Sequence, residues 1–177
     1  MSELFSIQLQ NRQQQGRDGV WLDLPTTTEQ VQAALRQIGI SSDNPQGLFI
    51  SGYFAEEEKR IAIPYNMVLA SNVDELNFLA ARMETLSAGE RAELNAALQT
   101  PQGELSSIGR ITDFPENVEY YVHLPDVRGP AQLGDYYLNR SGMVDMPEEW
   151  KGGIDTAQFG RYVAQQEQGV FTEYGYL

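Results

Sequence analysis

The sequence predicts an α+β protein in which three segments, residues 1–62, 63–103 and 104–177, form small domains. Three observations support this prediction. Apolar residues alternate with polar ones near the N-terminus, which is typical of half-buried strands. Two stretches in the middle repeat apolar residues at helical spacing after capping signals. The last segment mixes helical spacing with breaks at proline and glycine.

The first segment predicts the order β-β-α-β. Apolar residues alternate in residues 4–10, and a polar connection containing two glycines leads to a return strand at residues 20–24. Thr26 and Glu29 have the spacing of a capping box, so we expect the helix to begin there. A third strand is predicted at residues 47–54, followed by an acidic connector.

The middle segment predicts two helices joined by a short connection. Residues 71–75 offer an N-terminal cap, and Ser87 with Glu90 forms a second capping-box pattern. The first helix has one apolar stripe, formed by Leu76, Leu79, Ala80, Met83 and Leu86. An αα-hairpin of this size buries little apolar surface, so we expect it to lean on its neighbours.

The last segment predicts three helices and a terminal strand. A short helix is expected around residues 105–111, and longer ones at residues 131–139 and 156–166. The last of these helices is expected to turn three side chains inward, namely Phe159, Tyr162 and Val163. Residues 169–177 are predicted to form one strand.

Charge is the feature of the composition that most restricts function. The chain has 25 acidic residues against 12 basic ones, a net charge of −13, and only two of the bases are lysines. Eight acids lie in residues 1–60, five in 61–103 and twelve in 104–177. Such a dispersed excess creates a long-range field instead of one singled-out catalytic carboxylate. It disfavours binding to nucleic acid and to anionic membranes, and it favours a positively charged partner.

The residues offer little for catalysis, metal binding or cofactors. His123 is the one histidine and the chain has no cysteine, so thiolate metal sites are excluded and His123 is expected to be structural. Glu56, Glu57 and Glu58 are consecutive, and consecutive side chains do not converge on one ion. The glycines form no phosphate-binding loop. We therefore expect no enzyme activity, no metal and no cofactor.

The sequence also bears on location. It contains no apolar run long enough to cross a bilayer, which takes about 20 residues, and its first residues lack the pattern of a signal peptide. We expect a soluble cytoplasmic protein. The composition, with 41% hydrophobic and 10% aromatic residues, is sufficient for a packed core.

Several blocks resemble one known family. Residues 20–25, Val-Trp-Leu-Asp-Leu-Pro, lead through a helix to Ile38-Gly39, and residues 72–80 contain an Asn-x-Asp-Glu-Leu-Asn element. The C-terminal blocks are residues 133–137, 154–161 and 171–177. In order and spacing these blocks resemble the ArdA antirestriction proteins of plasmids and conjugative transposons. The chain departs from the family pattern in the first hairpin, which contains glutamines at 13, 14 and 15, and at residues 150–153. We expect altered loops at both places.

The resemblance implies a DNA mimic. Proteins of this family look like bent duplex DNA to type I restriction-modification enzymes and occupy the DNA-binding groove of the specificity and modification subunits. The resemblance further implies an elongated chain of three small domains that forms a homodimer through its C-terminal domain. It implies inhibition of restriction, with inhibition of modification left open, on behalf of incoming mobile genetic elements.

The expected mimic surface consists of acidic residues along the whole chain. They are Glu29, Asp43, Glu56, Glu57, Glu58, Asp74, Glu75, Glu84, Glu90, Glu93, Glu104, Asp113, Glu116, Glu119, Asp126, Asp135, Asp145, Glu148 and Glu149. Tyrosines are concentrated in the last segment, and tyrosine is favoured at subunit interfaces. The candidates for the dimer interface are Tyr120, Tyr121, Tyr136 and Tyr137.

One alternative function stays open at this stage. The charge could serve solubility alone, in which case the chain is an acidic cytoplasmic enzyme or an adaptor of unknown substrate. Salt adaptation also produces acidic, lysine-poor chains. Small-angle scattering discriminates between the two functions, because the mimic is expected to be a strongly elongated dimer and the alternative a compact particle.

Overall fold

The computed structural model describes residues 3–14, 16–100, 105–117 and 121–177. The chain is α+β, as predicted, with strands and helices in both parts. It divides into two compact units. The first unit consists of Met1–Arg91 and Glu104–Pro115, and the second of Ala92–Gly103 and Glu116–Leu177. The division into three domains stays a prediction.

A three-stranded antiparallel sheet organises the first unit. Its strands are β1 (Phe5–Asn11), β2 (Val20–Leu24) and β3 (Leu48–Phe54), in the order β2-β1-β3. In the register, Ile7 lies opposite Leu22 on one side and Tyr53 on the other. The predicted strands are confirmed to within about one residue at each end, because the apolar alternation that predicts them is a local property.

The central strand β1 carries the core of the sheet. Phe5, Ile7 and Leu9 are between 0 and 2% exposed, and they alternate with residues on the other face. Helix α1 (Thr28–Gln37) packs against β2. The order β-β-α-β is therefore confirmed.

The predicted capping box of α1 is wrong by one residue. Thr27, in extended backbone conformation, is the N-cap, and its side chain accepts a hydrogen bond from the Gln30 N–H at 3.3 Å. The backbone of Thr26 is engaged elsewhere, because its N–H donates to the Asn77 side chain at 2.8 Å. The amide of Asn77 in turn donates to the Thr26 carbonyl at 3.0 Å. The helix therefore starts one residue later than predicted, and the residue predicted as its cap bonds instead to a side chain 51 positions away.

The rest of the first unit is helical. Two short 3-10 turns, Pro45–Gly47 and Glu57–Lys59, flank β3, and α2 (Tyr65–Leu69) packs on that strand. Helix α3 (Val73–Glu84) begins at the predicted cap, where Asn72 accepts from the Glu75 N–H at 2.9 Å. The predicted stripe of α3 is buried. That stripe faces a core to which α5 (Ile108–Thr112) also contributes, because α3 packs against α5.

Helix α4 (Ala88–Leu98) begins with the predicted capping box. The Ser87 N–H donates to the Glu90 carboxylate at 2.8 Å, and the Glu90 N–H donates to the Ser87 hydroxyl at 3.3 Å. Each side chain therefore satisfies the other residue's free backbone donor. A short helix α6 (Phe114–Asn117) follows α5.

The second unit contains α7 (Pro130–Asn139), α8 (Glu148–Lys151), α9 (Thr156–Glu167), β4 (Phe171–Thr172) and β5 (Gly175–Tyr176). Its core is built around Val127, Leu133, Tyr137 and Tyr176, with Phe159 and Val163 of α9 packed against it. The prediction that Tyr162 also turns inward is wrong, because that side chain is 61% exposed.

The single terminal strand predicted at residues 169–177 is also wrong. The chain turns between β4 and β5 to form an antiparallel hairpin. The Thr172 hydroxyl donates to the Gly175 carbonyl at 2.8 Å, and Gly175 has a φ of +117°, which suits glycine. Leu124 then pairs with Tyr176, so β5 lies between β4 and an upstream segment.

Two glycines allow α7 and α9 to pack closely. A Cβ atom added at Gly134 would lie 1.9 Å from the Thr156 carbonyl oxygen, and one added at Gly160 would lie 1.7 Å from that of Pro130. Both obstacles are backbone atoms, which cannot rotate away. The contact between these helices therefore requires the missing side chains.

We predict that Gly160→Ala lowers the free energy of unfolding of the full chain by about 3 kcal/mol, because the helices must separate to admit the methyl group. Gly152→Ala is the matched control, since a Cβ there meets no atom within 4 Å. Urea denaturation followed by circular dichroism measures both. Equal stability of the two variants would contradict the close helix contact.

Candidate functional surface

The predicted acidic residues that the structure describes lie at the surface. No carboxylate in the described residues is buried. The exposed members of the predicted set are Glu29, Asp43, Glu56, Glu57, Glu58, Asp74, Glu75, Glu90, Asp113, Glu116, Asp126, Asp145, Glu148 and Glu149. Glu84, Glu93 and Asp135 are half-buried, and Glu104 and Glu119 lie outside the described residues.

The negative charge is shared between the two units. By sequence the first unit has 14 acidic and 8 basic residues, a net charge of −6, and the second has 11 and 4, a net charge of −7. The two units are therefore about equally acidic. Both units therefore contribute to the negative field of the protein.

Ion pairs neutralise only part of this charge. Within the described ranges, Lys59 lies 3.5 Å from Glu56, Arg140 lies 3.5 Å from Asp135, and Lys151 lies 3.0 Å from Glu148. Each pair joins near neighbours in sequence, and the acidic side chains are between 49 and 84% exposed. Solvated pairs of this kind stabilise a protein by at most about 1 kcal/mol, so the carboxylates stay available to an external cation.

Some acidic residues also have local structural roles. Hydrogen bonds from the Ser87 side chain and backbone lower the pKa of the Glu90 carboxyl, which keeps that group ionised at the start of α4. Asp74 and Glu75 occupy the first turn of α3, where the helix dipole favours negative charge. These three carboxylates therefore lie at the first turns of helices, which they help to stabilise.

Among the described residues, no three acidic or histidine side chains are arranged to hold a metal ion. The Nε2–H of His123 donates to the Tyr174 carbonyl oxygen at 2.8 Å. This contact ties the segment before α7 to the turn between β4 and β5. The histidine therefore makes a structural hydrogen bond.

Comparison with known families decides the relationship. The model of the antirestriction protein (ArdA) family matches residues 15–177, which is nearly the whole chain. The chain belongs to the ArdA antirestriction family. No curated protein matches the sequence.

Family membership gives this surface its context, since the proteins of the ArdA family are antirestriction proteins. The match covers the second unit and the first unit from residue 15 onward, so every acidic residue except Glu3 belongs to the matched part. Within the described ranges, no helix is both long and apolar enough to span a membrane.

The structure also places exposed apolar side chains that sequence reasoning missed. They are Trp21, Phe54, Tyr65, Phe78, Val122, Met143 and Trp150, each at least 50% exposed. Phe78 gives the clearest sequence signal, since it lies on α3 between Leu76 and Leu79 but outside the buried stripe. A single exposed apolar side chain is common on protein surfaces, so its surroundings decide whether it has a role.

The tyrosine candidates for the dimer interface have different surroundings. Tyr120 lies outside the described residues, and Tyr121 and Tyr136 are half-buried. Tyr137 is only 9% exposed, and its hydroxyl donates to the Glu167 carboxylate at 2.6 Å. Tyr137 therefore serves the core of its own chain, and Tyr121 and Tyr136 have more surface to offer a partner.

We predict that the free energy of unfolding falls at alkaline pH. The reason is that the hydroxyls of Tyr137 and Tyr176 both donate to the Glu167 carboxylate. Burial raises the pKa of each tyrosine above its ordinary value, and the Glu167 carboxylate raises it further. Below about pH 10 these tyrosines are protonated in both the folded and the unfolded chain, so they contribute their full share to the free energy of unfolding. Above that pH the unfolded tyrosines ionise first, and the free energy of unfolding falls.

We expect Tyr137→Phe to flatten this decline when urea denaturation is repeated between pH 9 and about pH 11. Tyr162→Phe removes an exposed hydroxyl from the same unit and serves as the control. A decline that stays as steep in Tyr137→Phe as in the unchanged chain would show that this tyrosine does not cause it.

His123→Gln tests whether the histidine has a chemical role. We expect a loss of about 1 kcal/mol in the free energy of unfolding, the usual contribution of one hydrogen bond. Inhibition of a restriction enzyme should be unchanged at a temperature at which the variant is folded. Complete loss of inhibition in a folded variant would instead indicate that the imidazole takes part directly in inhibition.

Proposed function

We propose that this chain inhibits type I restriction-modification enzymes by mimicking bent B-DNA and occupying their DNA-binding groove. The observation that carries the proposal is the distribution of carboxylates. They cover both compact units, and none of those described is buried. Membership of the antirestriction family supports the same conclusion.

The physics of DNA recognition explains why such a surface is effective. Duplex DNA presents one negative charge per roughly 1.7 Å of axis, and the enzymes that bind it do so with lysine and arginine. A mimic must therefore carry carboxylates along its length and few opposing lysines. With a net charge of −13 per chain, it has fewer charges than a few turns of duplex. Shape and hydrogen bonding must then supplement the field.

The proposal extends to assembly and biological role. We propose a homodimer formed through the C-terminal segment, in which two copies present a longer negative surface than one. The inhibitor would act in the cytoplasm, where it would protect an incoming plasmid or conjugative transposon. Inhibition of modification as well as restriction is expected wherever both activities use the occupied groove.

Competition for a purified type I modification enzyme tests the proposal directly. A fluorescently labelled duplex that contains the recognition site is bound first, and this protein is then titrated in. We expect full displacement, saturating near one dimer per groove, and recovery of active enzyme after high salt removes the inhibitor. Inhibition of cleavage without displacement of the duplex would contradict occupation of the groove.

Single neutralisations of dispersed acids should have small effects. We expect Glu29→Gln or Glu93→Gln to weaken displacement by less than about fivefold, because each carboxylate contributes a small share of the field. Combined neutralisation of four or more acids across both units should cause a large loss. If either single change abolished displacement by a folded protein, the negative surface would not act collectively.

Sedimentation of the full chain tests the dimer. We expect a dimer for the unchanged protein and a shift toward monomer for Tyr121→Ala combined with Tyr136→Ala, because both side chains retain exposed area in the C-terminal segment. Tyr162→Ala, which removes an exposed tyrosine from α9, is the matched control. A double variant that stays dimeric would place the interface elsewhere.

A further inference from the structure

The first unit contains a small open cleft between α3 and α5. Its volume is about 210 Å³, and it is lined by Glu75, Phe78, Ile108, Gly109, Thr112 and Asp113. This α3–α5 cleft is smaller than the roughly 300–1,000 Å³ of typical small-molecule sites. Its size suits one side chain of a partner instead of a nucleotide or cofactor.

The inner surface of the α3–α5 cleft is apolar and has an aromatic wall. Ile108 is 4% exposed and belongs to the core, whereas Phe78 is 60% exposed. The Thr112 hydroxyl donates to the Ile108 carbonyl at 2.8 Å, so that hydroxyl already has an acceptor. More than half of the Phe78 side chain is therefore accessible to an incoming group beside an apolar floor.

Gly109 keeps the cleft open. A Cβ atom added there would meet only the Ser107 hydroxyl, at 4.0 Å, and the residue has no positive φ. Any other residue could therefore take this position without strain, and a longer side chain would extend into the cleft. The glycine is not required by the backbone, yet it leaves space for a partner.

Both charged residues of the lining are acidic and exposed. Glu75 belongs to α3, one turn before Phe78, and Asp113 directly follows α5. Arg110, the basic residue of α5, does not line the cleft. An aromatic face with carboxylates at its edge attracts a cation and discourages an anion or a purely apolar helix.

We propose that the α3–α5 cleft accepts an arginine side chain from the basic surface of a partner protein. A planar guanidinium stacks on an aromatic ring and donates to carboxylates with its edge, whereas a lysine ammonium is compact and strongly hydrated. The inference rests on the proposed function for the partner, a DNA-binding groove rich in arginine and lysine. In addition to the field of the dispersed carboxylates, the α3–α5 cleft would then be a local anchor that prefers arginine to lysine.

Variants of the full chain test the anchor in the duplex-displacement assay. Phe78→Leu keeps apolar bulk but removes the aromatic face, and Gly109→Met fills the cleft. We expect each to weaken displacement about tenfold, which corresponds to about 1.4 kcal/mol. Phe54→Leu is the matched control for the ring, because Phe54 is 58% exposed in the same unit.

A second measurement requires no restriction enzyme. Peptides of eight arginines and eight lysines are titrated into the full chain at equal ionic strength, and amide shifts are followed by NMR. We expect the arginine peptide to bind at least about fivefold more tightly, with shifts at Phe78 and Gly109. That preference should fall below about twofold in Gly109→Met, whereas Asp74→Asn, which removes a charge beside Glu75, should retain it.

The outcomes separate the two proposals. If the unchanged protein displaces the duplex but Phe78→Leu and Gly109→Met displace it equally well, the anchor is wrong and the mimic stands. If the unchanged protein fails to displace the duplex, the proposal of DNA mimicry is wrong. The peptide titration then still tests whether the α3–α5 cleft binds arginine. Equal binding of both peptides, or an arginine preference that survives Gly109→Met, would overturn the anchor.

Discussion

The structure depends on keeping its carboxylates in water while its small units still bury enough apolar surface to fold. A net charge of −13 makes the parts of the chain repel one another when it compacts. The described ion pairs are solvated and offset little of that repulsion. Stability must therefore come from close apolar packing. In the first unit this packing centres on β1, whose Phe5, Ile7 and Leu9 are almost fully buried.

The second unit meets the same constraint with glycine. Because Gly134 and Gly160 have no side chains, α7 and α9 can approach until their backbones are in contact. Dispersion forces act strongly at such short separations. The outward faces of the helices are then free to carry polar and charged groups. The division between core and surface is thus what allows a folded chain to keep an acidic exterior.

The sequence predicted local features well and tertiary ones poorly. The strands, the Ser87–Glu90 capping box and the stripe of α3 follow from neighbouring residues, and the structure confirms them. Two threonines at the start of α1 have a capping residue three positions later, Glu29 for Thr26 and Gln30 for Thr27, so the local pattern alone did not choose between them. None of the predicted acids that the structure describes is buried, because carboxylates are costly to bury. The α3–α5 cleft was not predicted, since Phe78 becomes a wall only when α5 packs beside it.

Hydrogen exchange of a type I enzyme, measured with this protein bound and again with its DNA duplex bound, tests the central claim most directly. If the inhibitor mimics DNA, both ligands should protect the same arginine- and lysine-rich peptides of the specificity and modification subunits. The protection by this protein should also weaken in high salt. Protection confined to a surface that the duplex leaves unchanged would contradict mimicry and would indicate inhibition from a separate site.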